Sequence, residues 1–169
     1  MGINRHLYDV IRANLYKDKT HLIFGPRRVG KTHLIRQLVK EENGVYHNCE
    51  LLQVQDMMAT TNSVQLEQLI GNKKLVAFDE AQAIPDIGVK LKILHDTFPE
   101  IQFIATGSSA FELANATSEP LTGRSRMYFL YPFSFIEIAD DTSVLEVHAA
   151  MENLLRFGMY PEVYQKTED

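Results

Sequence analysis

Gly25-Pro26-Arg27-Arg28-Val29-Gly30-Lys31-Thr32 constrains this chain more than any other stretch. It has the form Gly-x-x-x-x-Gly-Lys-[Ser/Thr]. The run His21 to Phe24 before it reads as a short strand, and Leu34, Ile35, Leu38 and Val39 after it recur at helical spacing. A strand, a glycine-bounded loop and a helix in that order form a cradle for phosphate. Triphosphate oxygens need many donors at short range, and such a loop supplies backbone N–H groups together with a helix N-terminus. Gly25 and Gly30 permit close approaches that a Cβ would block. Lys31 is suited to reach the β- and γ-phosphates as a point charge, and the Thr32 hydroxyl to ligate Mg²⁺. Pro26, Val29 and His33 complete the expected nucleotide-binding stretch. Arg27 and Arg28 have two readings: added positive field or reach toward a neighbouring subunit, or solvated side chains on an exposed loop tip.

The rest of the chain alternates element types. Leu7, Val10, Ile11 and Leu15 predict an opening amphipathic helix. Val45 to Asn48 is a brief strand candidate, Asn62 to Ile70 a helix with Asn62 as cap, and Leu75 to Phe78 a buried strand. Ile87, Leu91, Leu94 and Phe98 give a helix ended by Pro99, and Ile101 to Ala105 another strand. Ser-x-x-Glu spacings at Ser109, Ser134 and Ser143 predict capping boxes, and Met127 to Tyr131 a last strand. This order implies an α/β fold with a parallel sheet of about five strands covered by helices on both faces.

Composition narrows the class. A chain of 169 residues, 45% hydrophobic and 23% charged, can bury a core, and its Gly and Pro show no repeat period. No apolar run approaches the roughly 20 residues that span a bilayer, and Met1 leads into polar Asn4, Arg5 and His6 without a signal-like apolar stretch. A single cysteine, Cys49, is compatible with a reducing compartment, so the expected location is cytoplasmic, with no membrane partner. The net charge of −5 weighs against a surface-wide nucleic-acid binder while leaving a local basic patch open. The six His show no metal-ligand spacing, and Cys49 reads as a small core hydrophobe.

Leu75 to Phe78 runs into Asp79-Glu80. A carboxylate at the end of a buried strand can hold Mg²⁺ opposite Thr32, which is the role expected of Asp79. Glu80 is then placed to orient and deprotonate an attacking water. Thr106 and Ser108, after the strand Ile101 to Ala105, are candidates to face the γ-phosphate or that water, whereas Ser109 reads as a helix cap. Arg124 and Arg126 bring two guanidiniums just before the last strand. They suit the charge on a transferred phosphoryl group, supplied in the same chain or by a neighbour, or serve in surface ion pairs. The aromatic run Tyr128, Phe129, Tyr131, Phe133 and Phe135 reads as core rather than as a base-stacking surface. Glu137 reads as a capping residue rather than a catalytic carboxylate.

The phosphate loop, Phe-Asp-Glu-Ala-Gln-Ala-Ile-Pro-Asp at Phe78 to Asp86, Ala-Thr-Gly-Ser-Ser at Ala105 to Ser109, Leu-Thr-Gly-Arg at Leu121 to Arg124 and Tyr-Pro-Phe-Ser-Phe at Tyr131 to Phe135 together resemble the AAA-type P-loop ATPases of the prokaryotic AAA_14 family. The resemblance implies a P-loop NTPase three-layer sandwich of ASCE type, strand order 5-1-4-3-2, with Asp79 and Glu80 as the Walker B pair. It also implies ATP and Mg²⁺ as ligands. In that family a helical or winged-helix segment and a further domain usually follow the ATPase region, and Leu155 to Glu162 resembles the start of that continuation. The expected organisation is an ATPase core over 1–140, with its N-terminal helix. A helical segment over 141–169 is then expected to open a continuation, with its effector domain missing.

The leading expectation is Mg²⁺-dependent ATP hydrolysis, with a homo-oligomer or a neighbour's arginine as partner. Two alternatives stand beside it: a non-hydrolysing nucleotide switch or interaction module, and a small-molecule kinase using the same loop. A GTPase is disfavoured because Asn72-Lys73-Lys74-Leu75 lacks the Asp of a guanine-reading motif.

Overall fold

A computed structural model describes residues 3–60, 62–108 and 119–166. Its centre is a five-stranded sheet of β1 (Thr20–Phe24), β2 (Val45–Asn48), β3 (Leu75–Asp79), β4 (Gln102–Gly107) and β5 (Ser125–Phe129). All pairings are parallel and the strands lie in the order β2-β3-β4-β1-β5, which is the expected 5-1-4-3-2 order. Every residue of β1, β3 and β4 is buried, because helices cover both faces of the central strands and leave no solvent side to favour polar alternation.

Side chains of successive strand residues enter opposite layers. Leu22, Phe24, Val76, Phe78, Phe103 and Ala105 pack on one face, with α3 (Leu52–Met57), α4 (Ser63–Leu66) and α5 (Ile87–Thr97). Ile23, Leu75, Ala77 and Ile104 pack on the other, against α1 (His6–Arg12) and α2 (Lys31–Glu41). A third apolar cluster joins Phe133, Ile138, Val147, Leu154 and Tyr164 across α6 (Phe135–Asp141), α7 (Val144–Phe157) and α8 (Pro161–Lys166). Ile3 packs against this cluster, so the beginning of the chain and its last helices meet.

Several boundaries differ from the sequence reading for physical reasons. The last strand is Ser125–Phe129 rather than Met127 to Tyr131, because its ladder runs with β1 from Thr20↔Ser125 to Phe24↔Phe129 and β1 ends there. The expected helix over Asn62 to Ile70 is two short pieces, α4 and a 3₁₀ turn over Glu67–Leu69, with Asn62 Oδ1 accepting from Val64 N as a cap. α3 leaves no signal in the sequence, since it buries only Val54 and carries no side-chain cap. In α1 the buried residues are Tyr8 and Ile11, whereas Val10 faces outward. Ser134 and Glu137 form the full capping box predicted for α6, and Ser143 Oγ accepts from Glu146 N at the start of α7. The capping box expected at Ser109 lies outside the described residues. Among the described residues, no helix is long and apolar enough to cross a membrane.

Candidate nucleotide site

The phosphate loop leaves the carboxyl end of β1 and enters α2. At its start Gly25 lies against the segment after β5, where a Cβ would stand 2.2 Å from the Leu130 carbonyl oxygen. At its end Gly30 adopts φ 101°, a left-handed conformation that disfavours any side chain. Between them Val29 is fully buried, while Pro26 and Arg27 are exposed.

Lys31 and Thr32 begin α2, beneath the loop. The Lys31 ammonium is buried and donates to the Gly25 and Pro26 carbonyls at 2.8 and 2.9 Å. Burial pushes its pKa down, while the charges of Glu80 and Asp79 act in the opposite sense. Thr32 Oγ1 donates to Asp79 Oδ2 at 2.7 Å, so the loop helix and the end of β3 are joined directly.

Asp79 is 3% exposed and collects two further hydroxyls: Tyr46, at 2.7 Å to Oδ2, and Thr106, to Oδ1. Tyr46 comes from the neighbouring strand β2 and lies beneath the Arg36 guanidinium of α2, 4.6 Å from its ring centre. Three donors from three elements thus fix both carboxylate oxygens. Burial raises the Tyr46 phenol, and its bond to Asp79 adds to the shift.

Glu80 follows in a left-handed conformation, φ 52°, which for a residue with a side chain costs on the order of 1 kcal/mol. Its N–H donates to Thr106 Oγ1 at 3.2 Å, so one threonine touches both members of the acidic pair. Gln82 Nε2 donates to Glu80 Oε2 at 2.6 Å and reaches Ser108 Oγ at 3.4 Å. Thr106 thus lies near the carboxyl end of β4, on the acidic pair, and Ser108 just past it, one contact further out.

Three expected site residues turn elsewhere. Arg28 has φ 63° and its guanidinium pairs with Glu162 of α8 at 3.1 Å, so it neither lies free at the loop tip nor faces the loop interior. His33 is exposed on α2. Arg124 stands at the amino end of the sheet, where its carbonyl accepts from Thr20 N and its Nε donates to Asp96 at 2.6 Å. The loop leaves the other end of β1, a full strand length away, so Arg124 is outside this chain's own nucleotide site. Arg126 bonds Asn14 Oδ1 at the same end. Cys49 is a core residue whose thiol burial pushes up to about 12, with the charges of Asp79 and Glu80 adding to it.

The donor set suits a hard cation. Among the described residues no cluster of three or more His, Cys, Asp or Glu could hold a metal by itself. Mg²⁺ in phosphate sites takes one or two protein oxygens and completes its shell with phosphate and water, and the adjoining Thr32 hydroxyl and Asp79 carboxylate fit that demand. Gln82, Tyr46 and Arg5, which touch the acidic pair or the loop, were missed by motif reading.

A glycine-bounded phosphate loop facing a strand-end carboxylate, on an all-parallel 5-1-4-3-2 sheet, defines a P-loop NTPase fold. The chain belongs to the AAA_14 family of AAA domains, whose model matches residues 17–139. It is 32% identical over 115 residues to the uncharacterized protein Rv2008c of Mycobacterium tuberculosis, a match covering 68% of this chain and 25% of that protein. It is 25% identical to the uncharacterized protein MJ1544 of Methanocaldococcus jannaschii, covering 90% of this chain and 38% of that protein. A tRNA dimethylallyltransferase of Bacillus cytotoxicus is 28% identical, with 90% of this chain and 46% of that protein covered. The chain thus spans less than half the length of these curated relatives. The Walker-type ATPase PABY2304 of Pyrococcus abyssi has the same fold, with a TM-score of 0.65 at 19% identity, over 99% of this chain and 69% of that one.

Proposed function

We propose that this nucleotide-binding domain binds ATP with Mg²⁺ and hydrolyses it. The observation that carries the reading is the Thr32–Asp79 contact of 2.7 Å, with Glu80 immediately beyond it. Bound Mg²⁺ would be held by Thr32 and Asp79 and would neutralise charge on the β- and γ-phosphates. Lys31 exchanges its two loop carbonyls for phosphate oxygens, and the loop N–H groups wrap the chain of phosphates. Glu80, oriented by Gln82, takes the proton of the attacking water. Thr106 ties the acidic pair together and Ser108 supports Gln82, so both are positioning residues.

A second reading, a nucleotide-operated switch that turns over only beside a neighbour, is favoured by one observation: Arg124 lies at the far end of the sheet. In that case turnover per molecule rises with protein concentration, whereas a self-sufficient site gives a constant specific rate. Lys31→Ala tests the nucleotide reading under either scheme. It is expected to weaken ATP binding by at least about a hundred-fold, as follows from losing charge-assisted bonds to phosphate. Equal ATP affinity in the substituted and unsubstituted proteins would overturn it.

A further inference from the structure

Arg5 lies far from the loop in sequence but against it in space. Its side chain is buried and works in three directions. Nη1 donates to the Val29 carbonyl inside the phosphate loop at 2.9 Å, Nη2 donates to the Tyr131 carbonyl after β5, and Nε donates to Glu137 Oε1 at 3.1 Å. The guanidinium face rests on Phe133, 4.9 Å from the ring centre. Glu137 is itself fully committed: Oε1 also accepts from His6 N at 3.0 Å, and Oε2 accepts from Ser134 N and Oγ as the capping box of α6. Burial alone would raise the Glu137 carboxyl, but the Ser134 N–H, the Arg5 guanidinium and the His6 N–H hold it below the usual range.

From this geometry we infer that Arg5 is a positioning residue for the nucleotide, because its grip on the Val29 carbonyl sets the direction of the Gly30 N–H. The inference rests on the nucleotide reading above. A trans peptide plane carries its C=O and the following N–H on opposite sides. Drawing the Val29 oxygen outward onto Arg5 therefore turns the Gly30 N–H inward, toward the space where phosphate oxygens lie. Gly30 is next to this contact, since a Cβ there would stand 3.7 Å from Arg5 Nη1, and its left-handed φ is the backbone setting that results. The loop is held at both shoulders by the same segment: Gly25 lies against Leu130, and Val29 is linked through Arg5 to Tyr131.

A guanidinium is required because its donors diverge in one rigid plane, whereas an ammonium is a point. Two other roles make different predictions. A role limited to packing lowers stability and leaves ATP affinity alone. A role limited to positive charge is restored by lysine. Positioning by the fork is lost in both Arg5→Lys and the double substitution Arg5→Met/Glu137→Gln, which leaves no buried charge unpaired and keeps a residue able to cap α6.

The test measures two quantities on each folded variant: amide hydrogen exchange of the segment 25–32 without nucleotide, and affinity for Mg-ATP. Arg12→Met, which removes an exposed arginine of α1, serves as the control. Both Arg5 variants are expected to exchange faster in the loop while β1 and β4 stay protected. Both should also bind Mg-ATP about ten- to a hundred-fold more weakly. Unchanged loop exchange, or faster exchange with unchanged affinity, would overturn the inference, as would full rescue by lysine. Failure of the unsubstituted protein to bind ATP breaks the nucleotide reading instead, and loop exchange then still decides whether Arg5 holds the loop.

Discussion

At the carboxyl end of the sheet Asp79 is 3% exposed and accepts from Thr32, Tyr46 and Thr106. At the amino end Asp96 holds Arg124 at 2.6 Å, with the two side chains 42% and 38% exposed. The contacts are equally short, yet only the first set is closed to water. A buried carboxylate must have its partners in place, so its geometry is fixed before a ligand arrives, whereas an exposed pair exchanges partners with solvent at little cost. The same contrast separates the buried Arg5–Glu137 pair from the exposed Arg28–Glu162 pair beside the loop.

Perturbing the two ends should give effects of different size. The largest is expected for Gly25→Ala, which drives a methyl group onto the Leu130 carbonyl and forces the loop off the segment after β5. It should lower stability by about 3 kcal/mol, in the upper range for overpacking, and abolish ATP binding, both readable in a urea titration with and without Mg-ATP. A smaller effect belongs to His21 at the amino end of β1. It is fully buried, packs edge-on to Tyr128, and meets no partner at hydrogen-bonding geometry on either ring nitrogen among the described residues. Burial lowers its pKa to about 4; the nearby Arg126 charge acts in the same sense, and the Asn14 backbone close by opposes them only weakly. The neutral ring is therefore favoured in the folded state, and its contribution is complete above the unfolded value near 6.5 and lost as pH falls toward 4. Stability should drop by roughly 2–3 kcal/mol over that window, and His21→Leu should flatten the slope. An identical slope in the variant would sink the assignment.

The smallest effect is expected for Arg124→Met. Losing an exposed pair should cost about 0.2–1 kcal/mol near neutral pH and leave ATP affinity unchanged. The guanidinium bond holds the Asp96 carboxyl below its usual value, so even this contribution exists only above the ordinary carboxylate range and fades as pH falls through the lowered value. A marked loss of ATP affinity in Arg124→Met at low protein concentration would erase the contrast between the two ends.

What could be read from sequence was local. Lys31 and Thr32 occupy fixed offsets from two glycines, and Asp79-Glu80 end an uninterrupted apolar strand, so spacing alone singles them out as candidates. Strand direction also carried information about Arg124: a residue preceding a parallel strand lies at the amino end of the sheet, away from a loop that follows another strand. The match between a guanidinium and the charge on a transferred phosphoryl group pulled the other way. Gln82 stands within the Phe78 to Asp86 stretch, two residues after Glu80, whereas Tyr46 and Arg5 had no such signal. Tyr46 reaches Asp79 only because β2 pairs with β3 in a register that sets Asn48 against Asp79, and Arg5 finds Glu137 across 132 positions. Such partners are set by the closed fold and leave no periodic trace in the chain.

The reaction proposed for this site is hydrolysis of ATP with Glu80 as the base. Phosphate release in a single turnover, measured for the unsubstituted protein and for Glu80→Gln with equal amounts of Mg-ATP bound, tests it most directly. The variant is expected to bind ATP as tightly and to release phosphate about 10²–10⁴-fold more slowly, the usual effect of losing a general base. Equal rates of release in the two proteins would contradict it.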